Sequence, residues 1–229
     1  MKSLLGRKNN NIMSNKKIVS AYSPLALYNL VSAIGWGYIL YNVIFNYPLL
    51  GQPQFFIKTK NAVTIIQCGA TIEILNSILG IFRSSVLTTV AQVASRLLVV
   101  IGIFQLLPES ENAQGLPYIT LLVAWSTTEI VRYLFYFYTL TSKNGAPKLL
   151  IYLRYNLFWV LYPTGVASEL LIIYSSLQWA QSKYCVWYKW TLVGSMLTYI
   201  PGLPMLFLHM VAQRKKVMRS LKEANKKQA

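Results

Sequence analysis

Three glutamates stand inside long apolar stretches of this sequence, where ionisable side chains are rare. Glu73, Glu129 and Glu169 are half of the six acidic residues, all of which are glutamates. Placing an ionisable group in hydrocarbon costs roughly 2.5–3.5 kcal/mol on insertion scales, so such a residue is usually paired or takes part in chemistry. For a carboxyl group that is shielded from water, that chemistry is proton transfer.

Two of these glutamates have arginines within reach. If the second and third apolar segments fold back on each other at Ser84, residues equidistant from this turn lie at equal depth, which places Glu73 beside Arg96. Glu129 and Arg132 are three residues apart, so they can meet on one helical face. We therefore expect two neutralised pairs, Glu73–Arg96 and Glu129–Arg132, which fix the register of the helices.

Glu169 has no such cation partner. Arg154, on the same apolar segment, precedes it by fifteen residues, which is about 22 Å along a helix. Glu169 is therefore either a protonated, hydrogen-bonded structural contact or a carboxyl available for general acid–base work.

A phenol shares the expected helical face of Glu169. Tyr162 precedes it by seven residues, a spacing that returns to nearly the same face, and the run from one to the other reads YPTGVASE. An ideal helix leaves the two backbones about 10 Å apart along the axis, so we expect Pro163 and Gly165 to kink or unwind the helix. The alternative is that Tyr162, one of 16 tyrosines, simply fills space.

These residues must be positioned by helices that cross a membrane. Hydrophobic residues make up 55% of the 229 residues and charged residues only 12%, whereas soluble domains carry about 25% charged residues. Six apolar segments have the length of a span, about 20 residues. We predict an all-α polytopic membrane bundle with six transmembrane helices, approximately at 25–45, 62–82, 86–107, 117–140, 149–177 and 190–210.

The six segments define one predicted domain, residues 23–212, between two basic tails. Residues 1–22 are predicted to be a disordered cytosolic tail, and residues 213–229 a basic cytosolic tail. With both termini in the cytosol, fifteen lysines and arginines lie on the cytosolic side, as the positive-inside rule requires. The last four residues, KKQA, resemble the dilysine retrieval signal of endoplasmic reticulum membrane proteins.

The composition disfavours several other kinds of site. The net charge of +16 comes from basic residues clustered at the two ends of the chain, which fits a membrane surface rather than nucleic acid. Cys68 and Cys185 form no paired motif, and His209 is the only histidine. We therefore expect no metal site and no organic cofactor.

Five ordered stretches resemble the 3-hydroxyacyl-CoA dehydratase family of the endoplasmic reticulum, also called protein-tyrosine-phosphatase-like proteins. The likeness covers approximately residues 25–216, and its most specific part is YPTGVASE. Neither cysteine is followed five residues later by arginine, so no phosphatase chemistry is expected. The stretches are LYNLVSAIGWGYILY (27–41), IEILNSILGIFRSSV (72–86), AQVASRLLVVIGI (91–103), WSTTEIVRYLFY (125–136) and LRYNLFWVLYPTGVASELLIIY (153–174).

The resemblance implies a carbon–oxygen lyase that removes water from very-long-chain 3-hydroxyacyl-CoA to give trans-2-enoyl-CoA, the third step of the fatty acid elongation cycle. It places the family's catalytic tyrosine on Tyr162 and its catalytic glutamate on Glu169. We prefer Glu169 as the base and Tyr162 as the acid, and the reverse assignment stays open. The resemblance also implies a multi-pass protein of the endoplasmic reticulum membrane, with elongase partners: ketoacyl-CoA synthase, ketoacyl-CoA reductase and enoyl-CoA reductase.

Basic residues near the cytosolic ends of the spans could attract the phosphates of CoA. For Arg83 and Lys148 the alternative is ordinary loop charge of the positive-inside kind. A backbone amide near Gly165 could stabilise a developing enolate oxygen. The complete set of expected substrate-binding residues is Arg83, Arg132, Lys148, Arg154, Tyr155 and Gly165.

Two other functions compete with the dehydratase. One is a non-enzymatic membrane scaffold of the same fold, which binds elongase or trafficking partners through its basic tails. The other is a small transporter whose intramembrane glutamates relay protons, although the sequence lacks a symmetric pair of broken helices.

Overall fold

The computed structural model describes residues 19–79 and 86–226, and within these ranges every regular element is helical. The prediction of an all-α fold is therefore confirmed. Two π-helical stretches, Asn42–Asn46 and Leu98–Ile103, continue the helices before them. The helices are α1 (Pro24–Tyr41), α2 (Tyr47–Leu50), α3 (Gln54–Cys68), α4 (Thr71–Ile78), α5 (Val86–Leu97), α6 (Leu116–Thr141), α7 (Lys148–Asn156), α8 (Phe158–Lys183) and α9 (Val186–Lys226).

The ends of the first helical segment follow from local sequence. Ser23 caps α1, because its side-chain oxygen accepts a hydrogen bond from the Ala26 amide at 3.3 Å, and Pro24 occupies the first helical position. At the other end, α2 stops at Gly51, whose φ of 63° is readily adopted only by glycine. Residues 24–50 therefore form one continuous helical segment.

Helix α6 lies at the centre of the bundle. It packs against α1 on one side and α8 on another, and α8 in turn packs against α9. A buried cluster of aromatic rings fills one end of the core: Tyr118 of α6 makes edge-on contacts with Phe55, Phe56 and Phe104 at 6.2, 5.0 and 5.1 Å between ring centroids. Such contacts add to the stabilisation from burial alone.

The loop that precedes α6 is bound to α8 through serine hydroxyl groups. Ser110 is fully buried, and its Oγ lies 2.7 Å from Ser175 Oγ and 2.9 Å from Ser176 Oγ. At the rim, Lys183 Nζ donates to Glu109 Oε1 at 2.7 Å. These contacts fix the loop at one end of α8.

Three of the six predicted spans coincide with helices that are long and apolar enough to cross a membrane, namely Pro24–Leu50, Phe158–Lys183 and Val186–Glu223. The described residues of the other three predicted spans are mostly helical but do not meet that test. The second is interrupted at Gly69 and Ala70, the third includes the short apolar helix Thr89–Ile103, and α6 carries polar and charged residues. Six spans therefore remain a prediction.

The expected unwinding at Pro163 and Gly165 is wrong, because α8 is continuous through both residues. The interruption lies earlier, at Leu157, which separates α7 from α8. The ring of Pro163 crowds the helical turn before it. The break at Leu157 lies just N-terminal to that turn. Tyr162 and Glu169 thus share one uninterrupted helix.

Some predictions fall on residues that the structure does not describe. They are most of the tail 1–22, the turn formed by Arg83, Ser84 and Ser85, and the last three residues of the dilysine-like end. Residues 213–226 of the predicted basic tail continue α9 as helix.

Candidate acid–base site

Glu169 projects from the middle of α8 into a buried site, where its side chain is 8% exposed. Trp125 Nε1 of α6 donates a hydrogen bond to Oε1 at 2.8 Å. The Tyr199 hydroxyl of α9 donates to Oε2 in a short hydrogen bond. Each carboxylate oxygen therefore has its own donor, and the two donors come from different helices.

The close approach of α6 to α8 brings Trp125 to Glu169. Gly165 lies one turn before Glu169, and a Cβ atom there would sit 3.7 Å from the Cβ of Ala124. The ring of Trp36 packs edge-on against Trp125, with 6.2 Å between centroids. Gly165 is inside α8, where amides donate to the carbonyl four residues earlier. The free amide donor expected near Gly165 is therefore absent at this residue.

Tyr162 is half-buried on the same helix, about two turns before Glu169. Its ring packs against Phe207 of α9, at 6.3 Å between centroids and a tilt of 31°. Among the hydrogen bonds of the described residues, none joins the phenol to Glu169. Tyr162 therefore shares α8 with Glu169, but its hydroxyl is not bound to the carboxyl.

A cluster of two arginines and two glutamates lies between α4, α5 and α6. Arg132 donates to Glu73 through Nη1 and Nη2 at 2.8 and 2.7 Å, and its Nε donates to Glu129 Oε2 at 2.6 Å. Arg96 Nη1 donates to Glu129 Oε1 in a short contact. The predicted pairing of Glu73 with Arg96 is wrong, because α6 places Arg132 closer to Glu73.

The Trp125 ring contacts both the ion cluster and the Glu169 site. The Arg96 guanidinium lies 5.3 Å from the centre of this ring, while the indole nitrogen is bonded to Glu169. At the far end of the cluster, Tyr133 donates to Glu73 Oε1 at 2.6 Å. Polar contacts therefore run across the bundle from α9 to α4.

Arg154 is enclosed by aromatic rings and has no carboxylate partner among the ion pairs of residues 19–79 and 86–226. Its guanidinium lies 4.4, 4.7 and 5.9 Å from the ring centres of Phe135, Tyr136 and Tyr155. Nη2 donates to the Tyr136 hydroxyl at 3.0 Å, whereas Nη1 is buried without a hydrogen-bond partner. This unused donor suits an anionic ligand.

The remaining expected substrate-binding residues differ from Arg154. The donors of Arg132 are directed at Glu73 and Glu129, so this arginine serves the ion cluster instead of an external phosphate. Lys148 is exposed at the first residue of α7, and Arg83 lies outside the described residues. Over the part of the chain that is described, no group of three His, Cys or Glu side chains could hold a metal ion.

Tyr199 and Trp125 are the site residues that sequence reasoning missed. Tyr199 is separated from Glu169 by 30 residues, and it lies on another helix. Trp125 stands in WSTTEIVRYLFY, a stretch that carries the family resemblance, but no spacing rule connects it with α8. Only the packing of three helices brings the donors and the carboxyl together.

A groove lies between α6 and α8, and neither Glu169 nor Tyr162 lines it. Its volume is about 360 Å³. Most of its walls are apolar, and Thr120 and Ser168 on opposite walls share a hydrogen bond of 2.7 Å. Ser168 directly precedes Glu169, so the groove follows the adjacent face of α8.

Comparison with known proteins places the chain among proteins of one family. The family model described as protein tyrosine phosphatase-like protein, PTPLA, matches residues 67–220. A Caenorhabditis elegans protein named very-long-chain (3R)-3-hydroxyacyl-CoA dehydratase is 37% identical over 87% of this chain and 96% of its own length. A human protein named very-long-chain (3R)-3-hydroxyacyl-CoA dehydratase 2 is 33% identical over 91% of this chain and 85% of its own. No solved structure matches the chain significantly.

Proposed function

Since the chain belongs to the family of protein tyrosine phosphatase-like proteins, PTPLA, we propose that it removes water from very-long-chain (3R)-3-hydroxyacyl-CoA to give trans-2-enoyl-CoA. The observation that carries this proposal is the buried Glu169 carboxyl, which has two hydrogen-bond donors and no ion-pair partner among the described residues, with the Tyr162 phenol seven residues earlier on the same helix. The activity named for the relatives supports the same reaction.

The reaction needs one group that accepts a proton and one that gives a proton. The Glu169 carboxylate takes a proton from the carbon next to the thioester carbonyl, and the electron pair of that C–H bond forms the new C=C bond. The neighbouring C–O bond breaks, and the Tyr162 hydroxyl protonates the departing oxygen, which leaves as water. The proton on Glu169 then returns to the tyrosinate, so the enzyme ends as it began.

The hydrogen bonds favour Glu169 as the base. Trp125 and Tyr199 donate to the two carboxylate oxygens, and such bonds stabilise the ionised form of a carboxyl that is removed from water. Tyr162 keeps its hydroxyl proton available, because it has no hydrogen bond to Glu169. The reverse assignment needs Glu169 to start as the protonated acid, and the two donated bonds stabilise that form less than the carboxylate.

Substrate binding divides between a charged and an apolar region. The buried Nη1 of Arg154 provides a donor for a CoA phosphate, and Tyr155 supports the guanidinium from one side. The groove beside Thr120 and Ser168 provides apolar walls for part of the acyl chain. In this proposal the protein crosses the endoplasmic reticulum membrane six times with both termini in the cytosol. It works with the ketoacyl-CoA synthase and the two reductases of the elongation cycle.

An assay of the purified full-length protein in detergent tests the reaction. Long-chain (3R)-3-hydroxyacyl-CoA is the substrate, and the absorbance of the enoyl thioester reports the product. We expect turnover by the wild-type protein and its loss in Glu169→Gln and Tyr162→Phe. The matched controls are Glu223→Gln, which changes an exposed carboxyl on α9, and Tyr174→Phe, which changes an exposed phenol on α8. Both should keep full activity.

Two results would contradict the proposal. If the wild-type protein bound the acyl-CoA but formed no enoyl product, the chain would act as a membrane scaffold. If Glu169→Gln folded and kept wild-type turnover, the base would have to be another group.

A further inference from the structure

We propose that Tyr199 is a positioning residue for Glu169, which holds the carboxyl in the orientation that accepts the substrate proton. This inference rests on the proposed dehydration and adds a third side chain to its chemistry. The evidence is geometric: the Tyr199 hydroxyl of α9 donates directly to Oε2 of Glu169.

Two donors are needed to fix the orientation of a carboxylate. Trp125 Nε1 anchors Oε1 from α6 at 2.8 Å, and with this bond alone the second oxygen could still rotate about the end of the side chain. Tyr199 anchors that second oxygen from the opposite helix. A carboxylate oxygen has two lone pairs, so after both bonds form each oxygen keeps one position that can accept a proton.

Tyr199 and Tyr162 differ in their hydrogen bonds, and we assign them different roles for this reason. The proton of Tyr199 is directed at the carboxylate, so it is not available to a departing hydroxyl. Tyr162 has no hydrogen bond among the described residues, and its ring rests on Phe207. One phenol therefore holds the base, and the other is available to the substrate.

The packing of Tyr199 supports a fixed position. Its ring is half-buried and packs against the hydrophobic core, while its hydroxyl reaches the carboxyl. Ionised partners make hydrogen bonds about twice as strong as neutral ones. A Phe side chain would keep the packing and remove the hydroxyl, which contacts Ser95 as well as Glu169.

The test compares Tyr199→Phe with Tyr188→Phe in the full-length protein. Tyr188 lies on the same helix, and its hydroxyl donates to the Gly102 carbonyl at 2.7 Å, so both variants lose a phenolic hydroxyl that donates a hydrogen bond. We expect Tyr199→Phe to lower kcat about ten- to hundredfold, the range of a hydrogen bond to a charged group. Its KM should stay within about twofold, because substrate contacts remain. Tyr188→Phe should keep the wild-type kcat.

A second pair of variants separates positioning from a general loss of structure. In Glu169→Asp the carboxyl is withdrawn by one methylene, so the bond to Tyr199 is already lost. Adding Tyr199→Phe to Glu169→Asp should then lower the residual kcat by less than about threefold. The effects of two substitutions are not additive when one residue acts through the other. Thermal unfolding of each variant accompanies the kinetics.

The possible outcomes are distinct. A wild-type kcat in Tyr199→Phe, or an equal loss in the wild-type and Glu169→Asp backgrounds, overturns the positioning role and leaves the dehydratase standing. An inactive wild-type protein overturns the proposed function, and the positioning role with it. The inference is supported if Tyr199→Phe lowers kcat strongly in the wild-type background but not in the Glu169→Asp background.

Discussion

Arg132 and Glu73 bind each other through two parallel contacts, 2.8 Å from Nη1 to Oε2 and 2.7 Å from Nη2 to Oε1. The pair joins α6 to α4, and Arg132 also reaches Glu129 on its own helix. Together with Arg96 the group contains two positive and two negative side chains, so its charges balance. The removal of any one charge would leave an uncompensated partner in apolar surroundings.

Arg132→Met is expected to destabilise the protein strongly. It removes the cation that the buried Glu129 and the partly buried Glu73 share, and the loss of one partner of a buried ion pair costs about 3–5 kcal/mol. Arg219→Met is the control, since Arg219 pairs with Glu223 on the exposed part of α9 and such pairs contribute about 0.3–0.5 kcal/mol. Thermal unfolding in detergent measures both. Equal melting temperatures for the two variants would contradict the balanced cluster.

Trp125→Phe should lower turnover with little change in KM. The substitution keeps an aromatic ring beside Arg96 and Trp36 but removes the Nε1 donor to Glu169. We expect kcat to fall about tenfold or more, the effect of one hydrogen bond to a charged group. The control is Trp159→Phe, because Trp159 is 47% exposed and its ring packs on Phe158 and Phe207. Full turnover in Trp125→Phe would show that this donor is dispensable.

Arg154→Met should raise KM for an acyl-CoA while kcat stays near the wild-type value. This pattern is expected when a group binds ground state and transition state equally. The same variant assayed with an acyl-pantetheine thioester, which lacks the nucleotide phosphates, should match the wild-type protein. A KM defect of equal size with both substrates would show that Arg154 supports the fold through its aromatic contacts instead of binding phosphate.

Gly102→Ala and Gly37→Ala should change stability in opposite directions. A Cβ at Gly102 would lie 2.8 Å from the Tyr188 hydroxyl, so Tyr188 must move and lose its bond to the Gly102 carbonyl, at a cost of about 1 kcal/mol. Gly37 in α1 has open space around its added Cβ, and alanine there should stabilise by about 0.4–1 kcal/mol. Melting temperatures test the pair, and a shared sign would refute the reasoning.

The Glu109–Lys183 pair should make a small contribution to stability that is lost in acid. The Lys183 ammonium, hydrogen-bonded to the carboxyl, holds the pKa of Glu109 below its usual range. A glutamate whose pKa is lower in the folded protein stabilises the fold at pH values above its unfolded pKa, about 4.3. This stabilisation is lost as the pH falls through the pKa of the folded state. The side chains are 43% and 40% exposed, so we expect at most about 1 kcal/mol.

Unfolding at two pH values checks this contribution. Glu109→Gln should melt slightly below the wild-type protein at pH 7, and the difference should vanish near pH 3. A difference that persists at the lower pH would mean that the glutamate acts through packing.

Much of the fold could be predicted from the sequence, because apolar runs of helical length leave few alternatives. Glu169 was identified by its lack of a cation, and the structure agrees that its partners are neutral donors. The pairing of Glu73 failed for a geometric reason. The prediction compared only the depths of Glu73 and Arg96 in the two-helix hairpin. It could not foresee that a third helix, α6, brings Arg132 to Glu73. Tyr199 was beyond sequence reasoning, since no pattern distinguishes it among 16 tyrosines.

The two donors to Glu169 are synthesised at different times, because they lie far apart in the sequence. Trp125 is made before Glu169, whereas Tyr199 belongs to the final helix of the described chain. A nascent chain that has released its residues only up to the end of α8 therefore carries the carboxyl with one of its two anchors. The carboxyl of Glu169 gains its second donor only after Tyr199 of α9 has been synthesised and has packed against α8.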